Sequence, residues 1–335
     1  MVDPLTWGTK RTRRILVVVI LLAMGVFPLV GDDYNIVLVS RIICLSILAI
    51  SLDLLWGYTG LLSFGHGVFF GIGSYSLGLT LKYFSFPGVA YIGVLIGISV
   101  SIIAATILGY FLFYGRISGV YFCIITLALT TIFFSVGNHP GLFHILGGNN
   151  GLVGPFLYHK FGIPGVWEYQ RTMVSYLANY YTALVVFLMV FAFCYYLVKS
   201  PFGKILQALK NNEDRLEYLG YNVANFKIVI FAIACGLAAL SGAISVPLQT
   251  TNPVVFGLSF NASIIIWIAV GGRGTLLGPA IGTLLVNYME IWLSSEFQYL
   301  WVFLMGVFFI LVIVFQPDGL LGLNLRLRKL VRSNA

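Results

Sequence analysis

The sequence predicts an all-α, polytopic membrane protein. Of its 335 residues, 59% are hydrophobic and 9% are charged, whereas a soluble globular domain carries about 25% charged residues. The apolar residues form long, continuous runs rather than the short segments of alternating polarity that a β-barrel shows. This composition excludes soluble domains, a disordered chain, a coiled coil and a disulfide-rich scaffold.

Ten apolar runs are predicted to be membrane spans, since a spanning helix needs about 20 apolar residues. They lie approximately at 15–31, 36–56, 67–84, 89–114, 119–137, 175–198, 225–249, 259–271, 275–294 and 298–316. The first is interpreted as a retained signal anchor, because no small-residue cleavage site follows it. The eighth is short, which indicates a broken or re-entrant helix. The division into five spans and five spans favours a 5+5 inverted repeat.

The basic residues predict how these spans are oriented. An even number of spans places both termini on one side, and most of the 19 Lys and Arg residues fall there. They are Lys10, Arg11, Arg13, Arg14, Arg116, Lys199, Lys204, Lys210, Arg215, Lys227, Arg273, Arg326, Arg328, Lys329 and Arg332. Because cytoplasmic loops are rich in Lys and Arg, both termini and residues 199–224 are predicted to be cytoplasmic, and residues 138–174 external. The net charge of +8 therefore indicates topology rather than nucleic-acid binding.

Few ionisable side chains lie within the predicted spans. Arg41, Asp53 and Glu290 stand near span ends, where an interfacial position and an ion pathway are both open interpretations. No acidic or basic residue is predicted at mid-membrane, which disfavours a proton- or sodium-coupled carrier. No Walker A motif or catalytic constellation is present, so the chain is predicted not to be an enzyme.

The cytoplasmic segment 199–222 is predicted to contain an amphipathic helix over 204–220. Pro201 and Gly203 break the preceding helix, and Gly220 ends the new one. Its apolar residues recur at helical spacing: Ile205, Leu206, Leu209, Leu216 and Leu219. Such a helix could lie on the bilayer surface or dock in a groove of a soluble partner.

Five stretches together resemble the permease subunits of branched-chain amino acid and urea ABC importers. The first is SPFGKILQALKNNEDRLEYLGYN, which is similar to the coupling-helix loop of that family. The others are WGYTGLLSFGHGVFFGIGSYSLG from Trp56, ILGGNNGLVG from Ile145, IIIWIAVGGRGTLLGPAIGTLL from Ile264 and FQPDGLLGL from Phe315. Their order and spacing fit the family from about residue 15 to 325, essentially the whole chain.

The resemblance implies an architecture and a set of partners. Residues 1–335 would form one permease domain in the cytoplasmic (inner) membrane, paired with a homologous permease subunit. Two cytoplasmic ATP-binding subunits would bind ATP–Mg, so this chain would need no cofactor, and an extracytoplasmic solute-binding protein would deliver the solute. The residues expected to couple the permease to an ATPase are Lys204, Leu209, Asn212, Glu213, Asp214, Arg215, Leu216 and Gly220.

Two details resemble the urea-importing branch: the doubled Asn149–Asn150 and Arg273 in GGRGTL. Urea is neutral, and the scarcity of charge within the spans suits a neutral solute. Urea import is therefore the expected function. The alternatives are import of branched-chain amino acids or short amides by the same architecture or, in another class, a stand-alone channel or secondary carrier.

The glycine motifs and nearby polar residues are expected to line or shape the pathway. Gly71 and Gly73 are predicted to allow close helix packing. Broken helix ends are predicted at Gly57, Gly60, Gly65, Gly67, Gly271, Gly272 and Gly274. The pathway candidates are Ser63, His66, Asn149, Asn150, Asn261 and Ser263. Packing is the alternative role for the serines, His66 and Asn261, and a turn is the alternative for the Asn149–Asn150 pair.

Overall fold

The computed structural model describes residues 24–28, 31–84, 88–117, 119–152, 173–297, 299–315 and 319. Regular structure in these residues is helical, and an isolated antiparallel bridge joins Leu152 to Thr251. The predicted all-α class is therefore confirmed.

Residues 24–28 are helical, and twelve α-helices have both ends within the described residues. They are α1 (Asp33–Thr59), α2 (His66–Tyr83), α3 (Val89–Tyr114), α4 (Val120–Gly137), α5 (Phe143–Leu146), α6 (Met173–Lys199), α7 (Pro201–Asn211), α8 (Glu213–Tyr218), α9 (Val223–Ser245), α10 (Leu258–Gly271), α11 (Leu277–Glu296) and α12 (Trp301–Phe315). Short 3₁₀ turns lie at Pro140–Leu142, Gly148–Asn150 and Pro253–Phe256. Each predicted span from 36–56 onward coincides with one of the longer helices, and most of 15–31 lies outside the described residues.

Five helices, α1, α3, α4, α6 and α9, are long and apolar enough to cross a membrane. In α1 and α9, 78% of the most apolar 18-residue stretch is buried inside the structure. In α3, α4 and α6 the corresponding share is 22–28%. The first two therefore form the centre of the bundle, and the others turn much of their surface outward. The short eighth span is α10, an apolar helix of 14 residues. It is about 21 Å long at 1.5 Å per residue, less than the hydrocarbon core of a bilayer.

The packing of the helices follows the predicted 5+5 arrangement. Helix α9 packs on α2 and α3, and α1 correspondingly packs on α10 and α11. Likewise α2 packs on α3, as α10 does on α11, and α1 and α9 pack on each other. Exchanging α1, α2 and α3 with the helices five spans later, α9, α10 and α11, preserves these contacts, as a structural repeat of five spans requires.

Small residues bring the central helices close together. One face of α3 consists of the buried Gly93, Gly97, Ser101, Ala105 and Gly109. A Cβ atom on Gly73 would lie 2.0 Å from the Ala239 carbonyl oxygen, and one on Gly71 would lie 2.1 Å from a carbon of the Phe256 ring. The predicted packing role of Gly71 and Gly73 is therefore confirmed, because no larger side chain fits at either position.

Candidate functional site

Helix α2 begins inside the bundle rather than at its edge. Helix α1 ends at Thr59, and the next residue, Gly60, adopts a left-handed conformation (φ 82°). The chain then turns back, and His66, the first residue of α2, reaches Ser51 with 2.9 Å between Nε2 and Oγ. Ser51 precedes the last residue of α1 by two helical turns, so α2 starts about 12 Å into the bundle. The break predicted between Gly57 and Gly67 therefore lies at residues 60–65.

Helix α4 holds this inserted loop. The Phe64 N–H donates to Thr126 Oγ1 (3.1 Å), and the Thr130 hydroxyl donates to the Phe64 carbonyl (3.1 Å). A Cβ atom on Gly65 would lie 2.8 Å from the Thr126 carbonyl oxygen, so α4 lies directly against the loop. These two threonines were missed by sequence reasoning. Their spacing of four residues on an apolar helix was a weak signal for a shared polar face.

The amino-terminal ends of α2 and α10 meet at Asn261, which is 1% exposed. Asn261 Oδ1 accepts from the Gly67 N–H (2.7 Å), and its Nδ2 donates to the Gly257 carbonyl (2.9 Å). Gly65 and Gly257 precede the two helices, and neither provides a side-chain cap. Two helix ends that carry partial positive charge therefore converge in the interior of the bundle.

Ser63 and His66 lie at the same junction, and both are buried. Ser63 Oγ accepts from the Gly65 N–H (3.3 Å). The Ser51 hydroxyl donates to the Leu48 carbonyl (2.7 Å), so its oxygen is free to accept from His66 Nε2–H. For a neutral imidazole this leaves Nδ1 as a buried acceptor, and Nδ1 has no hydrogen-bond partner among the described residues.

The other pathway candidates lie outside this junction. Ser263 is half-buried, and its hydroxyl donates to the Ser259 carbonyl within α10 (3.0 Å). Asn149 and Asn150 lie in the 3₁₀ turn Gly148–Asn150. The adjacent Leu152 N–H donates to the Thr251 carbonyl (2.8 Å), which ties this turn to the loop before α10. The structure therefore brings Ser63, His66 and Asn261 together and separates the asparagine pair from them.

At the opposite end of the bundle, the helix predicted over 204–220 is divided in two. Helix α7 begins at Pro201 with Ser200 as its cap, and it ends at Asn211. Asn212 has extended backbone, and its Oδ1 accepts from the Arg215 N–H (2.9 Å), which caps α8. The prediction of one continuous helix was wrong. Gly220 follows α8 in a left-handed conformation (φ 85°), as expected for a helix stop.

The apolar side of this segment is only partly as predicted. Leu209 and Leu216 are buried against Val223, and Leu206 belongs to the main core. Leu219, however, is 69% exposed and the neighbouring Tyr218 is 91% exposed. Lys204, Asp214 and Arg215 are exposed as well. The outer surface of α7 and α8 therefore combines charges with two uncovered apolar side chains.

The predicted coupling residue Glu213 is engaged within the chain. Its carboxylate forms an ion pair with Lys227 of α9, whose side chain is 4% exposed. A buried ammonium needs such a partner, because its desolvation cost would otherwise be uncompensated. Glu217 and Arg116 are 3.9 Å apart, with side-chain exposures of 44% and 87%, and solvent screens such a pair strongly. Glu213 therefore fixes α8 on α9.

Asp53 is buried with 0% exposure, so the interfacial interpretation of this residue was wrong. Its Oδ1 accepts from the Gly274 N–H (2.7 Å), and its Oδ2 has no hydrogen-bond partner among the described residues. Close by, Lys210 Nζ of α7 donates to the Gly57 carbonyl (2.6 Å), and Arg273 stands 5.8 Å from the centre of the Trp56 ring. Sequence reasoning missed this cluster, since its members come from three separate segments.

Glycines make the contact around Asp53 possible. A Cβ atom on Gly57 would lie 2.5 Å from the Gly274 nitrogen and 2.3 Å from Asp53 Oδ1. Gly272 and Gly274 have φ of 115° and 74°, which favour glycine. A Cβ atom on Gly271 would lie 1.9 Å from the Gly278 carbonyl oxygen. These positions therefore require glycine for close backbone approach at the end of α10.

Lys210 lies on α7, outside the spanning helices. Burial, and next the neighbouring Arg273 charge, lowers the pKa of its ammonium group, and the Asp53 carboxylate acts in the opposite direction. Lys210 was not among the residues expected to contact an ATPase. Its position links α7 to the end of α1.

Spanning helices with broken ends that meet inside the bundle, together with short helices at one end, are the architecture of a membrane permease. The chain belongs to the family described as "Branched-chain amino acid transport system / permease component", whose profile matches residues 35–313. The family resemblance drawn from the motifs is therefore confirmed. No solved structure is significantly similar to the chain.

Several relatives are similar over most of the chain. The probable branched-chain amino acid transport permease protein LivM of Methanocaldococcus jannaschii is 23% identical over 82% of this chain and 89% of that protein. The high-affinity branched-chain amino acid transport system permease protein LivM of Salmonella typhimurium is 23% identical over 95% of this chain and 77% of that protein. The ribose import permease protein RbsC of Haemophilus influenzae is 31% identical, over 30% of this chain and 33% of that protein. These names do not include urea, so urea import stays a prediction.

Proposed function

We propose that this chain is the membrane permease subunit of an ATP-driven importer and that its solute is urea. The observation that carries this proposal is the uncharged polar junction between α2 and α10. There, the buried His66 imidazole bonds to Ser51, and its Nδ1 has no hydrogen-bond partner among the described residues. Ser63 and Asn261 bond to backbone N–H groups at the start of the same helix. Urea offers four N–H donors and one carbonyl acceptor and carries no net charge. Such a solute needs donors and acceptors along its path rather than fixed charges.

Branched-chain amino acids are the second candidate solute, because the relatives similar over most of the chain are named as permeases for them. The converging ends of α2 and α10 supply partial positive charge that favours a carboxylate. Urea would need uncharged donors and acceptors at this junction, whereas an amino acid would need the partial positive charge for its carboxylate. Measured uptake of each solute decides between them.

The experiment compares uptake of labelled urea and labelled leucine by cells with and without this chain. Unlabelled leucine and acetamide serve as competitors. Loss of urea uptake that leucine does not compete supports the urea proposal. Loss of leucine uptake with urea uptake retained moves the chain to amino acid import. Retention of both in cells without the chain contradicts both solutes, once a paralogous importer has been deleted as a control.

The proposed assembly pairs this chain, as one permease domain, with a homologous permease, two cytoplasmic ATP-binding subunits and an external solute-binding protein. The chain would lie in the cytoplasmic membrane with both termini in the cytoplasm. ATP–Mg would bind to the partner subunits, whose closure would move the spans between outward- and inward-open states. The exposed surface of α7 and α8 supports docking of an ATPase there, because it offers both charge and uncovered apolar area.

A charge reversal separates docking from folding in this segment. Asp214 is exposed, so Asp214→Lys is expected to reduce co-purification of the ATP-binding subunits while the permease still folds. Glu213→Lys would instead place a second cation beside the buried Lys227, so it is expected to lower the yield of folded permease. If Asp214→Lys leaves ATPase binding unchanged, docking on this face is contradicted. Uptake that persists without ATP would favour a stand-alone channel or carrier.

A further inference from the structure

Three segments that are distant in sequence meet where α1 approaches α7. The last turns of α1 contribute Asp53 and Gly57, the loop between α10 and α11 contributes Gly274, and α7 contributes Lys210. The Gly274 N–H donates to Asp53 Oδ1 at 2.7 Å, and Lys210 Nζ donates to the Gly57 carbonyl at 2.6 Å. The loop lies so close to α1 that a side chain on Gly57 would collide with the Gly274 backbone. Helix α1 is therefore bonded to the loop on one side and to α7 on the other.

The bond from Lys210 satisfies a group that α1 cannot satisfy itself. The last four carbonyls of a helix have no intrahelical partner, and the Gly57 carbonyl is one of them. The two backbone N–H groups that follow the helix bond to other acceptors. The Gly60 N–H donates to the Trp56 carbonyl, and the Leu61 N–H donates to Thr59 Oγ1 (3.4 Å). A cation at a helix carboxyl end is also favoured by the helix dipole. Lys210 is therefore the side chain that caps this end of α1.

The charges around this cap favour keeping Lys210 in place. Asp53 is fully buried, and the charges of Lys210 and Arg273 act on it. A movement that carried α7 away from α1 would leave both a buried carbonyl and a buried carboxylate less well compensated. Moving α1 together with α7 avoids that cost. The apolar contacts of Leu209 with Leu216 and Val223 are non-directional and impose no such link.

We propose that Lys210 is a positioning residue that transmits the movement of α7 to α1, and through Asp53 and Gly274 to the loop between α10 and α11. This inference rests on the proposed function, in which ATP-binding subunits dock on α7 and α8. Lys210 does not contact solute in this scheme. Its role is to make the end of α1 follow the segment on which the ATPase acts.

The test uses the complete importer, reconstituted in proteoliposomes with its solute-binding protein, and measures labelled urea and leucine uptake together with ATP hydrolysis. Lys210→Met removes the charge and the donor but keeps a long side chain. Lys210→Arg keeps both, and Thr106→Val changes an exposed residue of α3, away from the docking surface. We expect solute moved per ATP hydrolysed to fall about tenfold or more in Lys210→Met, with ATP hydrolysis and subunit assembly retained. A tenfold loss corresponds to about 1.4 kcal/mol of coupling.

The controls give the proposal a clear point of failure. Lys210→Arg and Thr106→Val are expected to keep the transport-to-hydrolysis ratio within about twofold of the unmodified chain. If Lys210→Met keeps that ratio as well, the proposal is overturned. If Lys210→Met does not assemble, Lys210→Gln decides, since it retains a polar tip without the charge. An unchanged ratio in Lys210→Gln overturns the proposal, and so does failure of both variants to assemble, because Lys210 would then hold the fold rather than the movement.

The failure of the proposed function looks different in the same experiment. If the unmodified importer shows no ATP-dependent uptake of urea or leucine, the function is contradicted before any variant is compared. If the unmodified importer transports either solute and Lys210→Met transports it equally well per ATP, only the role of Lys210 is lost.

Discussion

Replacing Asn261 by leucine tests whether the junction of α2 and α10 is held by one amide. The substitution keeps the approximate volume of a side chain that is 1% exposed. It removes the bonds to the Gly67 N–H (2.7 Å) and the Gly257 carbonyl (2.9 Å). The Gly257 carbonyl keeps another donor, because the Asn261 backbone N–H also bonds to it at 3.2 Å. The Gly67 N–H lies in the first turn of α2 and has no intrahelical acceptor. One buried donor is thus left without a partner.

The expected loss of stability follows from that single orphaned group. Leaving a buried donor unpaired costs about 1–3 kcal/mol. Interhelical hydrogen bonds in membranes are worth less, averaging about 0.6 kcal/mol with a maximum near 1.7, because unfolded helices find other partners. The leucine side chain occupies about the same volume as the asparagine, which leaves little room for a water molecule beside the Gly67 N–H. We therefore expect a loss toward the upper end of the membrane range, about 1–1.7 kcal/mol.

The assay is reversible unfolding of the purified permease in mixed micelles, followed by circular dichroism as denaturing detergent is added. Ser263→Ala is the matched control, two residues further along α10. Its hydroxyl bonds only to the Ser259 carbonyl of its own helix among the described residues, so its loss should cost less than about 0.5 kcal/mol. If Asn261→Leu is no more destabilising than Ser263→Ala, Asn261 does not hold the start of α2.

Three further predictions concern other contacts. Gly57→Ala forces a Cβ atom to 2.5 Å from the Gly274 nitrogen and should destabilise the protein by about 1–3 kcal/mol in the same assay. Its control is Gly306→Ala, where a Cβ atom meets nothing within 4 Å, and this variant should be neutral or stabilising by up to about 1 kcal/mol. Asn212→Ala removes the cap of α8 and should cost about 1 kcal/mol, measured as faster amide exchange over residues 213–218 with residues 223–245 unchanged. Glu213→Gln should destabilise the protein, because it leaves the buried Lys227 ammonium unpaired, and adding Lys227→Met should restore stability. Equal losses of stability in the single and the double variant would refute the pairing.

The spans could be predicted from sequence because apolar run length is a direct consequence of bilayer thickness. The run predicted at 89–114 coincides with the observed α3, and the run at 119–137 differs from α4 by one residue. The short eighth run was also recognised as unusual, since 14 residues cannot span the hydrocarbon core unaided. Local composition was sufficient for these features.

The division of the α7–α8 segment was missed although the sequence carried a signal for it. Leu209 and Leu216 are seven residues apart, so the apolar pattern continues in register across the break at Asn212. An asparagine followed by Glu213 and Asp214 is nevertheless typical of a helix start, because the amide caps the first turn and acids favour its positive end. Because the apolar spacing continued across Asn212, it favoured one continuous helix over the new helix start that Asn212 indicates.

The contacts of Asp53 and Lys210 could not be predicted, since they depend on tertiary structure. A carboxylate near the end of a span is expected to lie at the membrane interface unless another segment covers it. Here the loop that contains Gly274 covers Asp53. Helix ends lie beside the glycine motifs, although Gly57 itself lies within α1. The segments that pack against these glycines could not be predicted. A glycine indicates that another segment approaches closely, but it does not indicate which one.

Helix α1 connects the two functional regions within one rigid, buried element. Ser51 contacts His66 at the junction of the broken helices, and Gly57 accepts from Lys210 at the α7 end of the bundle. These positions are six residues apart, about 9 Å along the helix axis. Helix α1 is largely buried, and close-packed interiors transmit strain. Displacement of its end by α7 is therefore expected to displace Ser51 relative to α2 as well. An ATPase acting on α7 would therefore reach the polar junction through a single helix, without a change in the fold between them.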